Sequence, residues 1–217
     1  MPPSGSSLRR EVLGRFREEP LGTRAFLLAR WIWTPYREVA RVLPARGRIL
    51  DAGCGHGLLA LTMALESPAR RILATDHDGP RIAAAKRAGR GIKNLTFREA
   101  DFTRVPPGPF DGIVYMDDLH YLPFAEQEAL LRRSRGRLRR GGVLVFRELG
   151  QTGSLFSRWN RVHERIMTTL GLTKAERLHF RTPDGWKAMA GKAGFQVRMR
   201  PLARPPYADI LYECVKR

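Results

Sequence analysis

The chain has 217 residues, 43% of them hydrophobic, with 39 Lys and Arg against 21 Asp and Glu and a formal charge of +18. That length suits one domain with an extension, and that hydrophobic share excludes a wholly disordered chain. The two cysteines, Cys54 and Cys214, stand far apart without metal-ligand spacing, which argues against a disulfide framework or a zinc site and for a reducing, cytoplasmic setting.

The positive charge fits a solvated arginine-rich surface. It equally fits an anionic partner: nucleic acid, a membrane surface, or a substrate bearing phosphate or carboxylate. The opening "MPPSGSSLRREV" has no apolar core of a secretory leader, so none is expected. The run "AFLLARWIW" is broken by Arg30 and is shorter than the ~20 apolar residues that a membrane span needs.

In chain order, residues 8–18 read as a basic amphipathic helix with Leu8, Val12 and Phe16 on one side. As a basic amphipathic helix it permits contact with an anionic membrane. Pro20 and Gly22 end it, a second helix carries Phe26 to Trp33, and Pro35 opens a third through Val39 and Val42 to Leu43. From "GRILDAGCG" onward short apolar runs alternate with helical ones. Strands are predicted at Arg48–Ala52, Arg71–Thr75, Leu95–Arg98, Gly112–Met116 and Val143–Arg147, with helices at about 57–66, 79–89 and 124–139. That alternation predicts an α/β fold with βαβ units and a parallel sheet. A helix at 183–193, with Thr182 as its N-cap, precedes strands at about 195–200 and 208–215. The stretch 150–181 interrupts the pattern, and "SLFSRWNRVHERIMTTLGL" within it reads as a helix stopped by Gly171. The chain thus divides into a basic helical extension over 1–45 and a core over 46–217 with a helical insert at about 150–181.

The chemistry concentrates in "DAGCGHG", which follows the first predicted strand. Glycine permits positive φ and lets a backbone approach a ligand, and a helix beginning near Gly57 points its N–H groups at that ligand. Ligands of open parallel sheets bind outside the carboxyl ends of the strands, and Asp51 sits at such an end. The dinucleotide pattern G-x-G-x-x-G fails here because Leu58 stands where its third glycine belongs, and no P-loop is present. The spacing D-x-G-x-G-x-G resembles motif I of the class I S-adenosylmethionine-dependent methyltransferases.

The resemblance extends through about residues 46–150. It implies a Rossmann-like fold with a seven-stranded, mostly parallel sheet, an antiparallel last strand, and S-adenosylmethionine as cofactor. It places the cofactor against Asp51, Gly53, Cys54, Gly55 and Gly57. Asp76, 25 residues after Asp51 and followed by His77, takes the ribose hydroxyls, with Asp78 as the alternative. Asp101 and Phe102, with Ala100 alongside, take the adenine, and Met116 lies in the segment beside the methionine part. His120, in "DDLHYL", is the candidate base with Tyr121 as its neighbour, or else a packing residue. Cys54 reads as a small loop residue rather than a nucleophile.

Acceptor classes can be narrowed. "MDDLHY" replaces the Asn- or Asp-Pro-Pro-Tyr/Phe motif typical of methylation at nucleobase nitrogens, and neither cysteine suits cytosine C5 chemistry. Asp117 and Glu148 only partly match the ligand set of metal-dependent catechol-type relatives, so no metal is expected. The ending "FRTPDGWKAMAGKAGFQV" resembles that of small-molecule methyltransferases, where N-terminal helices and the insert cover the substrate. Here those parts are rich in arginine and aromatics: Trp31, Trp33, Tyr36, Phe156, Trp159 and Phe180, with Arg158, Arg161 and Arg165 on one helical face. The expectation is methyl transfer to a small, hydrophobic or lipid-like acceptor, at oxygen by preference. The alternatives are an RNA- or DNA-directed methyltransferase and a non-catalytic S-adenosylmethionine-binding protein.

Overall fold

The computed structural model describes residues 5–149, 178–204 and 207–217. The expected helix in 150–177, with Phe156, Trp159 and its three arginines, lies outside the described residues.

Three helices open the chain: α1 (Gly5–Gly14), α2 (Leu21–Trp33) and α3 (Tyr36–Val42). The alternating part follows as β1 (Gly47–Ala52), α4 (Leu58–Glu66), β2 (Arg70–Asp76), α5 (Gly79–Ala88), β3 (Leu95–Glu99), β4 (Phe110–Met116), α6 (Phe124–Arg137) and β5 (Leu138–Leu149). The chain closes with α7 (Pro183–Lys192), β6 (Phe195–Arg204) and β7 (Tyr207–Lys216).

The seven strands form one sheet in the order β3-β2-β1-β4-β5-β7-β6. β1 to β5 pair in parallel, and β7 runs antiparallel between β5 and β6. The order reverses at β1, between β2 and β4. That switch point is where an open α/β sheet leaves a crevice at its carboxyl edge, and the glycine loop leaves the sheet there.

Strand alternation sends successive side chains to opposite faces. Ile49, Ile72, Ala74, Phe97, Val114 and Val145 pack under α1 to α5, while Leu50, Ile113, Tyr115, Leu144 and Phe146 pack under α6 and α7. On the second face Trp186 of α7 is fully buried against Phe146, whose ring stacks on Tyr212 at 4.5 Å. Thr182 caps α7 as its sequence suggests, accepting from the Gly185 N–H at 3.1 Å.

Two expectations are corrected. The first helix ends at Gly14, not residue 18, because the next turn tightens to i→i+3 bonds from Arg15, Phe16 and Arg17. Its apolar residues Leu8, Val12 and Phe16 are buried in the same cluster as Ile49 and Leu61, so that face is spent on the core and is not open to a membrane. β5 begins earlier than Val143: Leu138 already pairs with Phe110, and the ladder then skips to Gly112 against Val143. Gly141, with φ 74°, lies in the irregular stretch, so the strand carries a bulge there.

Candidate functional site

β1 delivers Asp51 to the carboxyl edge of the sheet, and the loop that follows is pinned to β2. The N–H groups of Gly53 and Cys54 both donate to the Thr75 carbonyl, at 2.8 and 2.9 Å. The Gly57 N–H closes the loop on the Cys54 carbonyl at 2.8 Å. All three glycines hold left-handed backbone, with φ of 80°, 54° and 80°. Their surroundings differ. A Cβ on Gly53 would stand 2.3 Å from Asp118 Oδ2, and one on Gly57 would stand 2.5 Å from the Phe97 ring. A Cβ on Gly55 would meet nothing within 4 Å. Packing therefore requires the first and third glycines, while the middle one faces open space that a ligand can enter.

Four carboxylates gather around this loop. Asp76 ends β2 and is fixed by two backbone donors, the Gly55 N–H to Oδ2 at 2.7 Å and the Asp78 N–H to Oδ1 at 2.9 Å. His77 Nδ1 lies 3.5 Å from Asp76 Oδ1. Asp78 is the N-cap of α5, accepting from the Arg81 N–H at 3.0 Å, so Asp76 rather than Asp78 is the acidic residue facing the loop. Asp118 accepts from the Met116 N–H at 3.2 Å and presses on Gly53. Asp51 is 1% exposed, and its Oδ2 has no hydrogen-bond partner among the described residues.

The electrostatics follow from this crowding. Burial and the neighbouring Asp76 push the Asp51 carboxyl up to about 7. Burial, then Asp117, Asp76 and Glu148, push Asp118 well above the carboxylate range. The same burial and carboxylates raise the Cys54 thiol, which keeps it protonated at neutral pH and fits a loop residue rather than a nucleophile. In a chain of net charge +18, this crevice gathers carboxyl groups whose ionisation burial and mutual repulsion resist, and a cation placed among them would favour their charged forms.

A pH dependence follows. The folded-state pKa of Asp51 lies above the unfolded value of 3.8, so the folded state holds the proton more tightly. The cost of ionising Asp51 is absent below about pH 4, grows with pH, and is complete above about pH 7, where it reaches at most about 4 kcal/mol. Urea unfolding at pH 5 and pH 8 is expected to show lower stability at pH 8. Asp51→Asn should flatten that slope and be more stable than the parent at pH 8. An unchanged slope would remove Asp51 as its source.

The residues expected at the adenine lie in the loop after β3. The Ala100 N–H extends the ladder to the Asp76 carbonyl at 2.9 Å. Asp101 is exposed, and its Oδ1 takes both the N–H and the hydroxyl of Thr103 at 2.8 Å. Phe102 lies edge-on to Tyr115 at 6.4 Å. Met116 is buried in the first core cluster.

A second cluster forms where α2 meets the ends of β4, β5 and β7. Phe26 of α2 lies 5.9 Å from the His56 ring, and Arg30 reaches Asp117 Oδ2 at 3.4 Å. Asp117 holds left-handed backbone at φ 65°, uncommon outside glycine, and this turns its carboxylate onto Arg147. Arg147 donates from Nε to Asp117 Oδ1 at 2.8 Å, donates again from its terminal nitrogen to Oδ2, and faces Asp209 Oδ2 at 3.1 Å. Burial works against ionisation of Asp117, but Arg147 and Arg30 outweigh it and hold the carboxyl low. Asp209 shares the same arginine without the paired bonds, and there burial wins and raises the carboxyl.

His120 is fully buried. Its Nδ1 lies 2.8 Å from Glu148 Oε2, while Glu148 Oε1 accepts from the Leu119 N–H at 2.9 Å. Phe180 stacks on the imidazole at 4.7 Å, and the ring of Tyr121, which is only partly buried, lies 4.3 Å away. The residues that sequence reading weighed as a metal-ligand match, Asp117 and Glu148, are engaged by Arg147 and by His120 with Leu119. Among the described residues no group of three or more His, Cys, Asp or Glu is arranged to hold a metal ion. Sequence reasoning missed Asp118, which presses on the distant Gly53, and Arg30, Arg147 and Asp209, whose ion-pair partners lie far away along the chain.

Comparison with known proteins places this geometry. Residues 49–142 match a family described as "Methyltransferase domain". The ribosomal RNA small subunit methyltransferase C of Klebsiella pneumoniae is 32% identical over 104 residues, 46% of this chain and 30% of that protein. The ubiquinone biosynthesis O-methyltransferase of Xanthomonas axonopodis is 29% identical over 122 residues, 54% of this chain and 49% of that one. The chain thus spans between 30% and 49% of the length of these curated relatives. Among solved structures, the magnesium protoporphyrin IX methyltransferase of Synechocystis, with bound S-adenosylhomocysteine (SAH), shares the fold at a TM-score of 0.67 and 18% identity, covering 99% of this chain and 95% of its own. With the motif-I loop at the sheet's switch point and the matched segment running from β1 to the bulge of β5, residues 49–142 form a methyltransferase domain on a Rossmann-like methyltransferase fold.

Proposed function

We propose that this protein binds S-adenosylmethionine in the crevice beside Gly55 and transfers its methyl group to a small hydrophobic or lipid-like acceptor, at oxygen by preference. The carrying observation is the gathering of Asp51, Asp76 and Asp118 around the open flank of Gly55. S-adenosylmethionine brings an ammonium and a sulfonium, positive charge that would favour the ionised forms of these carboxyls. When bound, it supplies an activated methyl group that an acceptor atom displaces in line.

The residues then take these parts. Asp76, fixed by two loop N–H groups, offers its remaining lone pairs to the ribose hydroxyls. Asp51 holds the positively charged methionine end. Ala100, Asp101 and Phe102 border the adenine, and Cys54, His77 and Met116 line the walls. Phe26 and Arg30 of α2 border the acceptor space, which suits an apolar body and leaves a cation near its edge. Proton removal from a hydroxyl acceptor falls to His120 and Tyr121. Glu148 holds the imidazole through Nδ1, and Tyr121 is the member of the pair with surface to offer. Replacing His120 by Gln or Tyr121 by Phe is expected to lower kcat by about 100-fold with cofactor affinity unchanged. Equal kcat in both variants would return His120 to a packing role.

An RNA-directed reading draws on the charge of +18 and on the similarity to ribosomal RNA methyltransferases. A binding protein without turnover is the reading from another class. One experiment separates the three. Purified protein is given methyl-labelled S-adenosylmethionine and a total cell extract, and the product is partitioned between organic solvent and water. Label in the organic phase supports the lipid-like acceptor. Nuclease-sensitive label in water supports RNA, and cofactor binding without any transferred label supports the third reading.

A further inference from the structure

Helix α2 has two unlike sides. Leu27 is buried in the core, Trp31 packs against it, and Arg30 ties the helix to Asp117. The outward side is apolar throughout. Leu21, Ala25, Leu28 and Ile32 recur at i, i+4, i+7 and i+11, which is one face of a helix. All four are exposed, Leu21 by 78%. Gly22, Ala29, Phe26 and Trp33 carry the same apolar character round towards the site, so roughly half the circumference bears no charge. Exposed contiguous apolar surface on an otherwise well-packed helix marks an interaction site.

Charge selects the partner. Residues 5–33 hold six arginines and three glutamates. Glu11 pairs with Arg15, and Glu19 pairs with Arg87. Arg9, Arg10, Arg17 and Arg24 are exposed, Arg24 on the flank of the apolar face itself. A second copy of a chain at +18 would be repelled at this surface, while a negatively charged lipid surface would be attracted. The helix has 13 residues, and among the described residues no helix is long and apolar enough to cross a membrane. Its geometry is that of a helix lying in the plane of the interface, apolar face down and basic flank at the headgroups.

We infer that the protein docks on anionic bilayers through the outward face of α2. Because Phe26 and Arg30 of the same helix form the rim of the crevice, docking sets the acceptor entrance at the lipid surface. This goes beyond the proposed reaction and does not depend on which acceptor is used.

The test is co-sedimentation of the full chain with vesicles of neutral phosphatidylcholine and with vesicles that also contain phosphatidylglycerol. Binding is expected only to the anionic vesicles, weakening as salt rises. The variant L21D/L28D should bind at least about tenfold more weakly, since it places two carboxylates on the inserted face, and R24E should reduce the preference for anionic lipid. The single variant L21D, at the most exposed position, serves if the double variant folds poorly. An unchanged circular dichroism spectrum and melting curve show that a variant is folded. Failure of the parent protein to bind anionic vesicles would overturn the inference, as would equal binding by L21D. Lipid-free dimers that L21D/L28D disrupts would overturn it too, and would assign the face to a second copy of the chain. None of these readouts involves methyl transfer, so failure here is distinct from failure of the proposed reaction.

Discussion

Gly55→Asn is expected to raise the cofactor dissociation constant by about 100-fold while leaving the fold intact. Asparagine tolerates the left-handed backbone that Gly55 holds at φ 54°, so strain is small. Its side chain enters the space that a Cβ would find empty, which is the space assigned to the ligand. A loss of about 2.7 kcal/mol corresponds to that factor and matches one or two charge-assisted hydrogen bonds plus a steric conflict. Gly53→Asn is the contrast. There the new Cβ meets Asp118 Oδ2 at 2.3 Å, so Asp118 must leave its bond to the Met116 N–H, and thermal stability falls as well as binding. Calorimetric titration with SAH, together with a melting curve for each variant, separates the two. Equal binding by Gly55→Asn and the parent would mean that the open flank of Gly55 is not the cofactor's place.

The second large effect is on stability. Arg147→Met is expected to cost about 3–5 kcal/mol, because it leaves Asp117 with only the longer contact to Arg30 and strips Asp209 of its ion-pair partner. Both carboxylates lie in the sheet's edge, where an unpaired charge has little water to turn to. For a chain of this size the melting temperature should fall by about 10 °C or more. The sign with pH is defined. Once Arg147 is gone, burial raises both carboxyls, so the folded state takes up protons as pH falls and the deficit shrinks. The variant should therefore be closer to the parent at pH 5 than at pH 8. Adding Asp209→Leu should restore part of the loss by removing one buried charge. A melting temperature unchanged in Arg147→Met would show the cluster to be energetically neutral.

What sequence could reveal divides along physical lines. The strands of the parallel core were legible because a strand buried on both faces is a short continuous apolar run, as in "RIL" and "GIVYM", bounded by turn residues. Thr182 was legible as a cap because capping is local. The glycine loop was legible as a ligand loop, but not the division of labour within it, since that depends on Asp118 and Phe97 arriving from β4 and β3. The same holds for Arg30, Asp117, Arg147 and Asp209. Each is an ordinary surface residue in its own segment, and only the strand order brings them into one charge cluster. The exposed face of α2 was hidden for a different reason. "LGTRAFLLARWIW" is apolar almost all round, so periodicity alone cannot say which side meets the core. The first helix misled in the opposite sense, because its apolar stripe fitted a membrane or a core equally well and the structure uses it for the core.

If the carboxylate-lined crevice beside Gly55 is an S-adenosylmethionine site, calorimetric titration of the unmodified chain with SAH shows one saturable site. Asp76→Ala then lowers the affinity by about tenfold to 100-fold, as expected for one or two lost charge-assisted hydrogen bonds. A parent that takes up no SAH, or an Asp76→Ala variant that binds it as tightly as the parent, would contradict that assignment.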